Sequence, residues 1–222
     1  MHERSEAVQA VIWAADVGSV SKANKFGWCR LEGESQRPGQ DFWEMVNGIV
    51  ADLEQSRSVA LGFECPLFIP ITENPMLLTC ARDGEAPKGG ESRPWSASSG
   101  SYALAIGLAE SVWILEQVQR AITVAVVPTL KWGRFAKGKA NLFLWEAFVS
   151  GDAKSKNKDD AVAHIEDAKT AALAFQKRLP DFSGASDVRA DNPYSLIGAA
   201  MLRAGLTTDL QVLREPCVVI KA

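Results

Sequence analysis

The chain has 222 residues, with 24 Lys and Arg against 27 Asp and Glu, a net charge of −3, and 47% hydrophobic residues. These values exclude a disordered chain and a strongly basic nucleic-acid binder, so any polyanion must be held by a local patch. One domain spanning residues 1–222 is expected, with an insertion at about 70–100, and folding should bury roughly 70–75% of the extended chain's surface.

No apolar run reaches the ~20 residues of a membrane span. The longest candidate, residues 101–122, is broken by Glu110, Glu116, Gln117, Gln119 and Arg120 and reads as a buried helix. The first six residues lack the basic start and apolar centre of a secretion signal, so a cytoplasmic protein with no membrane partner is expected. Cys29, Cys65, Cys80 and Cys217 are far apart with no metal-ligand or CxxC spacing, and His2 and His164 are the only imidazoles; a structural zinc site is not expected.

Residues 8–16 (V-Q-A-V-I-W-A-A-D) form a β-branched apolar run ending at a carboxylate and turning at Gly18-Ser19, which predicts a central strand. Residues 25–32 predict a second, antiparallel strand, joined through Ser21, Lys22, Ala23 and Asn24, and residues 34–39 a short edge strand. Over 41–55, Phe42, Met45, Val46, Ile49, Val50 and Leu53 recur at helical steps behind an Asp41/Glu44 capping pair. Residues 59–69 return as a nearly continuous apolar strand interrupted by Glu64, the pattern of a parallel strand buried on both faces.

After the long stretch 70–100, rich in Pro, Gly and Ser, come a helix over 102–120, a short strand over 123–128 and a basic segment holding Lys131, Trp132, Arg134, Lys137 and Lys139. Residues 141–149 predict another buried strand with a single carboxylate, Glu146, followed by a polar loop with Lys154, Lys156 and Lys158. Helices over 160–179 and 193–204, the second with Pro at its first turn, and a strand over 217–220 complete the chain. Helices alternating with buried strands, behind an opening antiparallel hairpin, define an α/β class with a mixed sheet and helices on both faces.

Asp16, Glu64 and Glu146 each end or interrupt an apolar strand. A buried carboxylate without a partner costs several kcal/mol, so each needs a compensating group: a Lys, an Arg, loop amides, or one cation shared at the sheet edge. Oxygen ligands suit Mg²⁺ or Mn²⁺. On the helix from Asp160, the residues Asp160, His164, Asp167, Ala171 and Ala174 share one stripe whose alanines allow close approach to the sheet, so Asp167 can join the strand acids.

These residues carry a resemblance. Asp16 in W-A-A-D-V-G-S, Glu64 in G-F-E-C-P, Glu146 in L-W-E-A-F and the helix H-I-E-D-A-K-T-A-A resemble the RNase H-like superfamily of metal-dependent nucleases, and more narrowly the predicted nucleases of the DUF 429 group. The resemblance implies an RNase H-like mixed sheet, a Mg²⁺ or Mn²⁺ cofactor and phosphodiester hydrolysis, with nucleic acid as a partner. In that group an Asp commonly starts a D-A-x-x-A-A pattern on the last helix; Ser195 stands at that place here, so either Asp167 supplies the fourth acid or the site is incomplete.

In a two-metal hydrolysis of this kind Asp16 is expected to bridge the ions, Glu64 and Asp167 to complete their ligand spheres, Glu146 to act as a ligand or an outer base, and His164 to relay a proton. Lys131, Arg134, Lys137 and Lys139, with Lys154, Lys156 and Lys158, would then form a basic rim beside the acids, with Trp132 or Trp95 for stacking. Two rivals remain at this point: a non-catalytic binding or scaffold protein with the same fold, kept open by Ser195, and a phosphotransferase of the actin-like ATPase class, suggested by D-V-G-S after a strand. The sequence leaves the oligomeric state open.

Overall fold

The computed structural model describes residues 9–19, 25–86, 95–179, 182 and 186–222. In chain order the elements are β1 (Ala10–Asp16), β2 (Gly27–Glu32), β3 (Ser35–Gly39), α1 (Phe42–Glu54), β4 (Ser58–Phe63), β5 (Phe68–Pro70), α2 (Ser98–Ala121), β6 (Pro128–Thr129), α3 (Trp132–Phe135), β7 (Leu142–Phe148), α4 (Asp160–Lys177), β8 (Pro193–Ser195), α5 (Leu196–Arg203) and β9 (Val218–Lys221). The expected hairpin turn at residues 21–24, and Lys88 and Arg93 of the insertion, lie outside the described residues.

The main sheet runs β3-β2-β1-β4-β7-β6, with β9 also on β7. Pairing is antiparallel through β3, β2 and β1 and parallel from β1 onward, giving the α/β mixed sheet with an opening hairpin that the sequence predicts, consistent with an RNase H-like sheet. Because side chains alternate along a strand, each strand divides its residues between two cores. Val11, Trp13 and Ala15 of β1, Val59, Leu61 and Phe63 of β4, and Leu142 and Leu144 of β7 pack against α1, α2 and α5. Ile12, Ala14, Ala60, Phe143, Trp145 and Ala147 face the other way, onto Ala168, Ala171, Ala172 and Phe175 of α4.

Local chemistry sets the ends of these elements. Asp41 caps α1, its carboxylate accepting from the Glu44 N–H at 2.7 Å, and Asp159 caps α4 through the Ala161 N–H at 2.9 Å. The strand expected over 59–69 stops at Phe63; Pro66 has no N–H for a ladder, and Phe68–Pro70 instead pair antiparallel with β8 in a separate two-stranded sheet. Residues 193–195, expected as the first turn of a helix, form β8, because the Ser195 hydroxyl accepts from the Gly198 N–H at 3.1 Å and so fixes the helix start after it. Of the strand expected over 123–128, only Pro128 pairs, together with the following Thr129, while the Val127 N–H is taken by the Asn141 side chain.

The insertion is tied down at Arg82, which is 3% exposed, and through the bridge between Asp83 and Arg189. No helix among the described residues is long and apolar enough to cross a membrane.

Candidate metal centre

β1 and β4 run parallel, so their C-terminal ends lie side by side. Asp16 is the last residue of β1, on the face covered by α4. Glu64 stands one residue beyond β4 and is still held to β1, its N–H donating to the Ala15 carbonyl at 2.8 Å. Asp167 reaches the same point from α4. One oxygen from each of Asp16, Glu64 and Asp167 lies within 4.8 Å of the others, and their side chains are 5%, 10% and 7% exposed.

α4 comes this close because β2 offers no side chain at Gly27. A Cβ there would sit 2.5 Å from the backbone carbonyl carbon of His164 and 2.6 Å from the Ile165 nitrogen. The same approach brings His164 Nδ1 to 2.6 Å from Asp16 Oδ2, a shared hydrogen bond between helix and strand end.

A cation already stands among the acids. Lys154, in the loop after β7, places its Nζ 2.5 Å from Glu64 Oε1, 2.8 Å from Asp167 Oδ2 and 3.8 Å from Asp16 Oδ1. The loop itself is fixed independently of that side chain, since the Ser155 N–H donates to Asp167 Oδ1 at 2.7 Å. Burial and the neighbouring Asp16 push the Glu64 carboxyl well above the usual carboxylate range, against the pull of Lys154. Burial works against the charge on Lys154, but Glu64 and Asp16 outweigh it and raise its pKa.

Glu110 is a further acid close by, on α2. Gly107, one turn earlier, lets the helix pack against Cys65 and Val17, just beyond the ends of β4 and β1. Glu110 is 6% exposed, and neither carboxyl oxygen makes a hydrogen bond of good geometry among the described residues. Burial raises its pKa to about 8; the Gly18 backbone partly offsets this, and Asp16 adds to it.

Glu146 corrects the expectation that three strand acids share one site. It pairs in register with Phe63 on the face opposite Asp16, and Trp145 and Ala147 take the α4 side. There its two oxygens accept from Arg82 at 2.6 and 2.8 Å, and Oε2 also accepts from the Leu67 N–H at 2.8 Å. Ser195 is buried as the α5 cap, so the acid joining Asp16 and Glu64 comes from α4.

The basic segment is corrected as well. Lys131, Arg134, Lys137 and Lys139 lie around α3, which leads back into the N-terminal end of β7, whereas Asp16 and Glu64 sit at the C-terminal ends of strands parallel to it. Lys131 pairs with Glu215 at 2.6 Å. Trp132 is packed among Phe135, Phe143, Phe175 and Phe182, with its ring centroid 4.2 Å from that of Phe182, and is not a free stacking platform. Of the second basic group, Lys156 and Lys158 are exposed in the loop beside the acids.

The sequence placed Lys154 on a basic rim beside the acids, for phosphates, and not among them as their counter-ion. Glu110 is the residue that sequence reasoning missed, since it reads as a break in an apolar run; Gly107 at the i−3 position was the available signal of close helix packing.

The donor set fits a hard divalent cation. It consists of carboxylate oxygens alone, and Glu64 Oε2 is buried with no hydrogen-bond partner among the described residues, while Oε1 is taken by Lys154. Compared with protein-family models, curated proteins and solved structures, the chain matches none.

Proposed function

We propose that this chain is a Mg²⁺- or Mn²⁺-dependent phosphodiester hydrolase acting on nucleic acid. The observation that carries the reading is the convergence of Asp16, Glu64 and Asp167 from two parallel strand ends and a helix, with one oxygen of each within 4.8 Å of the others. Those three would hold the ion, which when bound supplies an activated water and charge stabilisation at the leaving oxygen.

The chain's own groups divide the remaining tasks. Asp16 is the acid in contact with both Lys154 and His164, so its charge organises the site. His164 spends Nδ1 on Asp16, which orients the ring and leaves Nε2 to take a proton from the attacking water or pass one to the leaving oxygen. Lys156 and Lys158 supply positive charge on the same loop for neighbouring phosphates.

Asp16→Asn should keep the fold, because the amide is nearly isosteric, and lower cleavage by about two orders of magnitude or more. A panel of single-stranded, duplex, hybrid and branched DNA and RNA, assayed with each metal, tests this. Cleavage of none of them, or equal cleavage by Asp16→Asn, would overturn the reading. Lys154 favours a second reading, in which the acids are neutralised internally and the chain is a non-catalytic scaffold; absence of divalent-ion binding at millimolar concentration would support it.

A further inference from the structure

The acids are not waiting without a partner: the Lys154 ammonium stands between them. We propose that Lys154 is an exchangeable counter-cation, which offsets part of the negative charge of Asp16, Glu64 and Asp167 in the ion-free chain and leaves when a divalent cation takes its place. This rests on the reading of those three residues as ion ligands.

Space and charge both require exchange rather than coexistence. One oxygen of each acid lies within 4.8 Å of the others, and Nζ is 2.5 Å from Glu64 Oε1 and 2.8 Å from Asp167 Oδ2. Metal–oxygen bonds of ~2.0–2.6 Å would place an ion in the volume the ammonium fills, and two cations at that separation repel. One ammonium against three carboxylates also under-neutralises the site. Glu64 Oε2, on a side chain nine-tenths buried, is the acceptor that Lys154 leaves without a partner.

The route out is open, since the Lys154 side chain is 41% exposed. The backbone need not follow, because the Ser155 N–H holds the loop on Asp167 Oδ1. The loop is therefore expected to keep its place when only the lysine side chain moves or is shortened.

Two measurements on the full chain test the exchange. In the first, Mn²⁺ binding is titrated calorimetrically for wild type and Lys154→Met, with folding checked by circular dichroism. Removing the competing cation should tighten Mn²⁺ binding by about tenfold or more, while lowering the melting temperature of the ion-free protein. In the second, which needs no variant, wild-type lysines are acylated with and without Mn²⁺ at equal ionic strength and quantified by peptide mass spectrometry. Lys154 should be protected relative to Lys156 and Lys158 without the ion and become several-fold more reactive with it.

If wild type binds Mn²⁺ but Lys154 stays equally protected, or if folded Lys154→Met binds no more tightly than wild type, the exchange is wrong and the metal reading stands. If neither protein binds Mn²⁺ at millimolar concentration, both fall together.

Discussion

At position 110 a carboxyl group must keep its proton to sit where it does. Glu110 has a folded pKa of about 8 against an ordinary 4.5, the result of burial. Between those values the folded chain holds a proton that the unfolded chain releases, so stability falls as pH rises through that window. Its contribution is whole below pH 4.5 and lost above about 8. At pH 7 the loss is on the order of 3 kcal/mol, from 1.36 kcal/mol per pKa unit. Glu110→Gln cannot ionise, so its melting temperature should exceed that of wild type at pH 7.5 and the difference should vanish towards pH 4.5. Calorimetric melts across this range check it; a pH-independent difference would show that Glu110 is charged in the fold. Asp16 was legible because a lone acid closing an apolar strand asks for a partner. That Lys154 stands among the acids, and not on a rim beside them, was not legible, because a loop lysine carries no periodic signal that distinguishes a solvated ammonium from one folded back onto three carboxylates.

Elements were legible wherever apolar periodicity and a cap agreed. Both held for α1, and the stripe of α4 that carries Asp167 and Ala171 does face the sheet. The failures lie where backbone hydrogen bonding overrides the apolar pattern: Pro66 ends a strand that side chains alone would continue, and the Ser195 cap moves a helix start past Pro193. The approach of α4 to β2 was also unreadable, since a glycine in a strand does not announce what will lie against it. Gly27→Ala tests that approach. Its Cβ would collide with helix backbone, which cannot rotate away, so α4 must shift. A loss of about 1–3 kcal/mol is expected, as for other overpacked sites. Because His164 and Asp167 travel with the helix, Mn²⁺ affinity should fall together with stability. Chemical denaturation and ion titration on the same sample measure both; unchanged ion binding would separate helix position from the acids.

On the scale of the whole molecule, a buried ion pair joins the insertion to the sheet. Arg82 reaches from the 70–100 stretch to Glu146 on the central strand β7, with Glu85 at 3.3 Å and the Phe68 carbonyl at 3.2 Å completing the contact. Arg82→Met should cost about 3–5 kcal/mol, because it strands Glu146 in an apolar core, whereas Arg82→Met with Glu146→Leu should recover most of that loss. Urea denaturation of the single and double variants decides it, and equal loss in both would mean that the pair's charge is not what anchors the insertion. The sequence identified Glu146 as needing a partner but not which one. Its register against Phe63 sends it away from Asp16, and the face an acid takes depends on a strand position known only to within one residue.

β7 receives β4 along one side, while its other side is shared by two short strands: β6 beside Leu142 and Phe143, and β9 beside Trp145 to Phe148. During synthesis this has a cost in time. About 70 residues separate the end of β7 from the start of β9, an interval of roughly 4 to 14 s at translation speeds of about 5–20 residues per second. Throughout it, half of one edge of this apolar strand has no neighbour on the nascent chain, the kind of open edge that recruits other chains. Deleting residues 217–222 would make that interval permanent. The truncated protein should aggregate at micromolar concentration, and at lower concentration its amides at 145–148 should exchange with deuterium far faster than those at 59–63, which remain enclosed between β1 and β7. Equal protection of the two segments would show that the edge is closed by something other than β9.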